Sequence, residues 1–252
     1  MSAWAKAKLL ILTMHIIALL GIIFCFDLTW FIVSLFVWVI YYGYGFSIGF
    51  HRLWSHKAFL TTPFVKYSTL IVGTLAGCGS IVGWVGQHRQ HHAYSDVSKQ
   101  LDPYWAHDDY SFVGTVKAWI ETPRSVNFGV HLVKDLFRDK WAKFTHNHYY
   151  KIFFSWCLLL IIIHPMAFIY ICAVPSMLCY SSAQISGVLG HRIGKSIYDV
   201  GDKSKDSHWL NILSFGEAYQ NTHHKYPSSY RLGKYDLSAF FIEKLFLVKS
   251  KI

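Results

Sequence analysis

Eight of the 15 histidines in this 252-residue chain lie in four short groups whose spacing is typical of metal ligands. In chain order they are His51, His56, His88, His91, His92, His191, His223 and His224. Helical residues three and four positions apart lie within about 100° of one face, so His88, His91 and His92 are expected to project together. Neutral imidazole suits Fe, Zn, Cu and Ni. The groups therefore predict a site for one or two such ions.

The neighbours of these groups include candidates for a supporting role. Gln220, His223 and His224 repeat the same helical spacing, and Glu217 lies one turn before Gln220. A ligating imidazole normally donates its second N–H to a carboxylate or carbonyl, and the expected carboxylates are Glu217, Asp96, Asp102 and Asp206. The other histidines lack this spacing and are expected to be structural or surface residues: His15, His107, His131, His146, His148, His164 and His208.

Long uncharged runs indicate the elements that must position the histidines. Hydrophobic residues make up 53% of the chain and charged residues 15%, whereas about a quarter of a soluble domain is charged. This composition excludes a disordered chain and argues against a soluble globule. Residues 9–26, 28–50 and 152–190 contain no Asp, Glu, Lys or Arg. Because about 20 helical residues cross a bilayer, the predicted spans are about 8–26, 29–50, 152–168 and 170–190.

We predict an all-α integral membrane fold of one domain, in which four transmembrane helices form two hairpins. The connecting turns fall near Asp27 and near His164-Pro165, and neither contains Lys or Arg. All 24 basic residues then lie on the opposite side with both termini, and the positive-inside bias makes that side cytoplasmic. A cytoplasmic helical cap, 51–151 and 191–252, would carry the histidines.

The glycine-rich stretch 67–86 is also uncharged and long enough for one crossing. A single crossing would place His56 and His88 on opposite sides of the membrane, whereas one metal site needs them together. The stretch is too short to cross twice. We therefore expect it to lie in the interface or to dip in and return.

A multi-histidine site at the mouth of an apolar bundle suits O₂ chemistry on a lipid. Hydrolysis needs only one or two metals and a water, whereas cleavage of an unactivated C–H bond needs a strong oxidant formed at a cofactor such as iron. A lipid chain would enter among the spans, with its head group near the basic residues of the cap.

Several other features are expected to be structural. The five cysteines include no CxxC pair and lie in apolar stretches, which favours reduced thiols over disulfides or metal ligands. Arg52, Arg89 and Arg192 are expected to be solvated or lipid-facing charges, with binding of a phosphate or head group as the alternative. The tail Lys244–Lys251 is predicted to form an interfacial helix on anionic lipid, and no nucleic-acid partner is expected.

The histidine motifs resemble those of a known enzyme family. The matching segments are Gly49–His56, GFHRLWSH; His88–Asp96, HRQHHAYSD, with Asp102-Pro103; the isolated His191-x-x-Gly194; and Asp202–Pro227, which ends in HHKYP. In this order and spacing they are similar to the histidine boxes of membrane fatty acyl desaturases, in the Δ9, stearoyl-CoA desaturase-like class. The resemblance covers most of the chain, from about residue 40 to 230.

The resemblance implies an oxidoreductase with a non-heme di-iron centre, in which the eight histidines hold two Fe²⁺ ions and O₂ is consumed. It implies hydrogen removal from a long acyl chain to give a cis double bond, expected at Δ9. The acyl group would be carried by CoA, acyl-carrier protein or a membrane lipid, and a separate ferredoxin or cytochrome b5 would supply electrons. Gln220, Glu217 and Asp96 would support the cofactor. A bacterial inner membrane and the endoplasmic reticulum are both expected locations.

Two positions depart from that family's pattern: Gln220 stands where the third box usually begins with His, and Gly187 where an Asn is frequent. The leading interpretation is a desaturase. A related di-iron lipid hydroxylase, ketolase or acetylenase is the alternative, because partitioning after the first hydrogen abstraction decides the product. A transition-metal transporter, whose ligands would lie near the bilayer midplane, and an inactive lipid-binding relative are further alternatives.

Overall fold

Helices make up nearly all regular structure in the computed structural model, which describes residues 3–246 and 249–250. The α-helices are α1 Ala3–Phe24, α2 Leu28–Trp38, α3 Pro63–Leu75, α4 Ile81–Tyr94, α5 Phe112–Glu121, α6 Lys134–Arg138, α7 Lys140–Asn147, α8 Tyr149–Ile163, α9 Pro165–Ala167, α10 Val174–Gly187, α11 Asn211–Ser214, α12 Gln220–Lys225 and α13 Leu237–Phe241. The π-helical segments are Val39–Ser55, Phe168–Ala173 and Ile242–Phe246, the 3₁₀ turns are Val130–Val133 and Leu189–His191, and the strands are β1 Phe59–Leu60 and β2 Lys249–Ser250. The predicted helical fold class is confirmed.

Within the described residues, three helices are long and apolar enough to cross a membrane: Ala5–Phe24, Leu28–Ser55 and Pro165–His191. A fourth, Tyr149–Ile163, is apolar but shorter. The first, third and fourth of these helices pack their inward side chains into one core around the buried Phe153. Helices of the predicted kind are therefore present, while their hairpin arrangement and the cytoplasmic cap stay predictions.

The chain breaks between apolar helices at Asp27 and at His164, and each break has a local cause. The Asp27 carboxylate caps α2 by accepting a backbone N–H of its first turn at 2.9 Å. His164 is extended because Pro165 disfavours helical backbone at the preceding residue. The run therefore divides at His164, where the sequence predicts the turn, while the approximate spans 152–168 and 170–190 stay predictions.

The second long helix changes from α-helical to π-helical hydrogen bonding for its last 17 residues. This half packs along α3, and glycines allow the close approach. A Cβ on Gly45 would lie 2.7 Å from the backbone nitrogen of Gly73. The chain then reverses before α4, whose first turn is capped by the Ser80 hydroxyl. This reversal fits the expected return of residues 67–86, whose depth in the membrane stays a prediction.

The end of the chain pairs with the segment that follows the second long helix. Strand β2 lies antiparallel to β1, with Ser250 opposite Phe59. A strand edge presents unpaired backbone groups that attract a partner strand. The helix predicted over Lys244–Lys251 is therefore wrong at Lys249–Ser250, and residues 247, 248 and 251 lie outside the described residues.

Arg89 and Arg192 tie parts of the cap together. Arg89 pairs with Asp135 at 2.8 Å and donates to the Ser55 carbonyl at 3.0 Å. Arg192 donates to the Thr115 hydroxyl at 2.7 Å. The expectation of solvated or lipid-facing charges is wrong for both, because buried backbone carbonyls and polar groups of the cap need donors.

The five cysteines are all unpaired thiols, as expected. Cys157 and Cys172 lie in the apolar core with their sulfur atoms 3.7 Å apart. Their burial among apolar side chains is typical of packing residues.

Candidate metal centre

Five imidazoles converge on one point, which we call the five-His cluster: His51, His56, His88, His92 and His223. Their candidate ligand nitrogens all lie within 4.8 Å of one another. Nε2 of His223 lies 3.0 Å from Nε2 of His51 and 2.9 Å from Nε2 of His92. Nε2 of His88 lies 2.7 Å from Nε2 of His56. The end of the second long helix, α4 and α12 bring these side chains together.

Three further imidazoles, those of His91, His191 and His224, form a second point of convergence, the three-His cluster. Their Nε2 atoms are buried and have no hydrogen-bond partner among the residues that the structure describes. A buried polar atom without a partner is costly unless a group outside the protein satisfies it. The fold thus leaves three lone pairs in one place for such a group.

The two clusters are neighbours, because α4 and α12 each serve both. Ring centroids lie 4.7 Å apart for His92 and His224, and 5.8 Å apart for His91 and His92. Consecutive helical residues project about 100° apart. As a result α4 directs His88 and His92 to one cluster and His91 to the other. The expectation that one helix face groups all three imidazoles is corrected: a pair of adjacent histidines divides between two sites.

In the three-His cluster, the second ring nitrogen of each imidazole, Nδ1, is hydrogen-bonded to a carboxylate. Each Nδ1–H donates to an aspartate, in the pairs His91–Asp102 at 2.7 Å, His191–Asp96 at 2.9 Å and His224–Asp202. An ionised carboxylate can only accept, so each pair fixes the proton on Nδ1 and leaves the Nε2 lone pair free. This is the tautomer that a metal ligand needs.

The five-His cluster has one carboxylate partner within residues 3–246. Nδ1 of His51 lies 2.5 Å from Glu217. Glu217 also faces the guanidinium of Arg52 at 3.0 Å, and Arg52 reaches Asp236 at 2.8 Å. Arg52 is 1% exposed, so the expectation of a solvated or lipid-facing charge is wrong. The buried guanidinium instead neutralises two buried carboxylates.

Burial favours the neutral form of five of the eight imidazoles. Burial and neighbouring histidines hold the pKa well below its usual value for His56, His88, His92 and His223, and burial lowers the pKa of His224 to about 4. Burial alone would raise the pKa of the partner aspartates and of Glu217, but the facing imidazoles lower it. These five imidazoles are therefore neutral, which is the form of imidazole that binds a divalent cation.

The structure shows two residues beside the clusters that the sequence does not indicate, and one expected residue has a different contact. The expectation that Asp206 supports a histidine is wrong. The Asp206 carboxylate instead accepts hydrogen bonds from the backbone N–H and the hydroxyl of Thr222 in α12. Asp202 takes the role at His224. His107, expected to be structural or on the surface, is buried and donates to the second oxygen of Asp96. No spacing rule points to Asp202, which lies far from His224 along the chain.

A small niche of about 30 Å³ is lined by residues of both clusters. It is bounded by His51 and His88 of one cluster, His91 of the other, and Gln220. Oε1 of Gln220 is buried without a hydrogen-bond partner. A Cβ on Gly190 would lie 2.5 Å from the Cγ of Gln220, so the glycine makes room for this side chain. The niche has the volume of one water-sized ligand.

A larger, mainly apolar cavity of about 380 Å³ adjoins the niche. The two spaces share Phe46, Trp84, Tyr104 and Ala183 as walls. Trp84 stacks on the ring of His88, with centroids 4.9 Å apart. An elongated apolar ligand in this cavity would therefore lie next to the histidines.

The donor set fits transition-metal ions. A ring nitrogen cannot both donate and accept, yet Nε2 of His223 and Nε2 of His92 each face two other nitrogens, so these contacts cannot all be hydrogen bonds. Two imidazole nitrogens bound about 2.1 Å from one ion and about 90° apart lie about 3.0 Å from each other. All-nitrogen donors favour Fe, Zn, Cu or Ni over Mg²⁺ or Ca²⁺.

Membrane-length apolar helices together with buried clusters of histidines are typical of membrane proteins that bind metal ions. Residues 28–241 match a family model described as fatty acid desaturase. The match includes both clusters and most of the chain. The chain belongs to the fatty acid desaturase family, which confirms the resemblance found in its histidine motifs.

Several curated relatives are about equally similar to this chain. It is 30% identical over 194 residues to the sn-2 palmitoyl-lipid 9-desaturase of Nostoc sp. (strain 36), which covers 75% of this chain and 67% of the relative. It is 30% identical over 209 residues to the sn-1 stearoyl-lipid 9-desaturase of Anabaena variabilis, covering 80% and 73%. It is 30% identical over 239 residues to the probable acyl-CoA desaturase of Schizosaccharomyces pombe, covering 81% and 45%.

Proposed function

We propose that the chain is an O₂-dependent di-iron desaturase that introduces a cis double bond, at Δ9, into a long-chain fatty acyl group. The observation that carries the proposal is the pair of histidine clusters beside one apolar cavity. The eight histidines are the proposed ligands of two Fe²⁺ ions, one ion in each cluster. Gln220, Glu217 and Asp96 support them. The 9-desaturases among its relatives favour this regiochemistry.

The bound iron pair would supply the reduction of O₂ and the oxidation of an unactivated CH₂–CH₂ unit. In balance, the acyl chain, one O₂, two electrons and two protons give an alkene and two waters. The acyl chain itself provides the other two electrons and two hydrogens. A separate carrier, ferredoxin or cytochrome b5, is the proposed electron donor.

The protein's own residues orient the acyl chain and exclude water. Aromatic walls are rigid and apolar, and the stacked Trp84 holds a methylene chain in the cavity against the His88 side of the niche. Lys8 and Arg124 line the same cavity. Cations there suit the phosphate of a CoA, carrier-protein or glycerolipid head group.

We propose that the chain is a multi-pass integral membrane protein with this site on the cytoplasmic side. The three membrane-length helices and the absence of Lys and Arg near Asp27 and His164 support this topology. A reporter that is active only in the cytoplasm should work at the C-terminus and fail when inserted after Asp27. The reverse pattern would contradict the proposed sidedness.

The decisive test of the function is fatty acid profiling in a host that lacks its own desaturase. We expect new cis monounsaturated chains at Δ9 that require O₂ and disappear in His88→Ala. The exposed His131 provides the matched control, and His131→Ala should leave the product unchanged. Labelled acyl-CoA, acyl-carrier protein and glycerolipid, supplied separately to membranes, identify the carrier.

Other products would assign another function. An alcohol or ketone in place of the alkene would make the chain a hydroxylase or ketolase. Metal flux into proteoliposomes would indicate a transporter. An iron-loaded protein that forms no oxidised lipid would indicate an inactive lipid-binding relative.

A further inference from the structure

We infer that the two metal positions hold their ions by different means, and that Asp96, Asp102 and Asp202 govern occupancy of the three-His cluster alone. The inference rests on the proposed function, because it takes each cluster to hold one iron. It concerns residues behind the ligands, which act on the metal through the imidazoles. These aspartates are positioning residues.

The first observation is the distribution of carboxylates. Each of the three imidazoles in the three-His cluster donates its Nδ1–H to an aspartate. In the five-His cluster only His51 has a carboxylate facing its Nδ1 within the described part of the chain, that of Glu217 at 2.5 Å. Among the described residues, the Nδ1 atoms of His51 and His223 are both buried without a hydrogen-bond partner. A carboxylate behind an imidazole fixes its orientation and raises its basicity as a ligand.

The second observation is the balance of charge. Glu217, the carboxylate at the five-His cluster, is paired with the buried guanidinium of Arg52. Within residues 3–246 no Lys or Arg side chain forms an ion pair with the three aspartates. Among the described residues, their negative charges therefore act on the ion at the three-His cluster without a Lys or Arg to offset them, and Asp96 alone also faces a further imidazole, that of His107. In a buried site such charges interact strongly.

The third observation is ligand number. Five imidazoles are available to bind an ion at the five-His cluster, whereas three are available at the three-His cluster. Loosening one of three ligands removes a larger share of the binding than loosening one of five. The position with fewer protein ligands thus depends more on the aspartates behind them.

Backbone contacts show that the aspartates are themselves held. Asp102 accepts the backbone N–H of Asp96 at 2.9 Å and of Tyr104 at 2.8 Å. Asp96 accepts the backbone N–H of Lys203 at 2.8 Å. The Asp102 bonds hold the loop after α4, and the Asp96 bond joins this loop to the loop before α11, which carries Asp202.

The test is iron retention by the purified, iron-loaded full chain during anaerobic dialysis against increasing nitrilotriacetate. Asp102→Asn and Asp202→Asn keep the shape and remove the charge. Each variant should lose one of its two irons per chain at a nitrilotriacetate concentration about 10–100-fold lower than the concentration that removes one iron from the parent. The Mössbauer signature of the remaining iron should match one of the two parental components. Glu217→Gln should spare the iron that the aspartate variants lose.

Asp139→Asn is the matched control. Its carboxylate pairs with Lys66 and caps α7, away from both clusters, so its iron retention should equal that of the parent. Loss of both irons together in the aspartate variants, with the helical circular dichroism retained, would overturn the inference, as would unchanged retention. A parent protein that binds fewer than two irons would overturn the proposed function instead.

Discussion

The metal centre and the apolar cavity beside it share a wall but are built by different forces. In the candidate metal centre, hydrogen bonds to carboxylates fix the three imidazoles of the three-His cluster, as with His91 on Asp102 at 2.7 Å. In the cavity, aromatic rings such as Trp84 and Tyr104 are held by packing. Directional bonds set positions within tenths of an ångström, whereas packing sets volume and shape. One region should therefore control metal binding and the other substrate choice.

The largest expected effect is in the metal centre. His88→Ala or His223→Ala should reduce desaturation to background and lower the iron content, because each removes a nitrogen from the five-His cluster. Product and iron per chain should be measured on the same preparation. Normal turnover in either variant would show that the residue is not a ligand.

The next effect separates the cavity from the metal. Ala183 lies in the shared wall, and Ala183→Phe should lower turnover about 100-fold by displacing the acyl chain from its reactive position, with two irons retained. Ala93→Phe, on an exposed part of α4, should leave turnover unchanged. Loss of iron in Ala183→Phe would break the distinction between the two regions.

A third prediction concerns stability. Arg52 is buried between Glu217 and Asp236, and Arg52→Met should lower the free energy of unfolding by about 3–5 kcal/mol because it leaves buried carboxylates uncompensated. Arg231 pairs with Glu243 at the surface, so Arg231→Met should cost about 1 kcal/mol or less. Denaturant titration in detergent micelles measures both. Equal losses would indicate that burial of the pair is unimportant.

The smallest expected effect is at the niche. Gln220 lies at its edge with an unpartnered Oε1, and Gln220→His should keep activity and hold at least as much iron as the parent, because it adds a nitrogen donor. Iron per chain is the measurement. Lost iron with the fold intact would mean that the glutamine oxygen has a specific role.

Short spacing rules in the sequence group the eight histidines that the structure brings together in two clusters, while their role as metal ligands stays a prediction. The breaks at Asp27 and His164 and the position of Glu217 beside His51 also follow from local chemistry. Asp202 does not, because it meets His224 only after the loop before α11 folds back. For the same reason no local pattern indicates that adjacent histidines divide between two clusters.

The cavity and the arginines could not be predicted for a related reason. Phe46, Trp84 and Ala183 come from three different helices, and the volume between them depends on how those helices pack. Arg52 follows His51 directly, and its sequence context is equally compatible with a surface charge. Only the fold places two carboxylates around it.

The most direct test of the central claim is an anomalous difference map, at the iron edge, from crystals of the iron-loaded protein. We predict two peaks in each molecule, one among the Nε2 atoms of the five-His cluster and one among those of the three-His cluster. A single peak, or a peak that lies outside both clusters, would contradict this prediction.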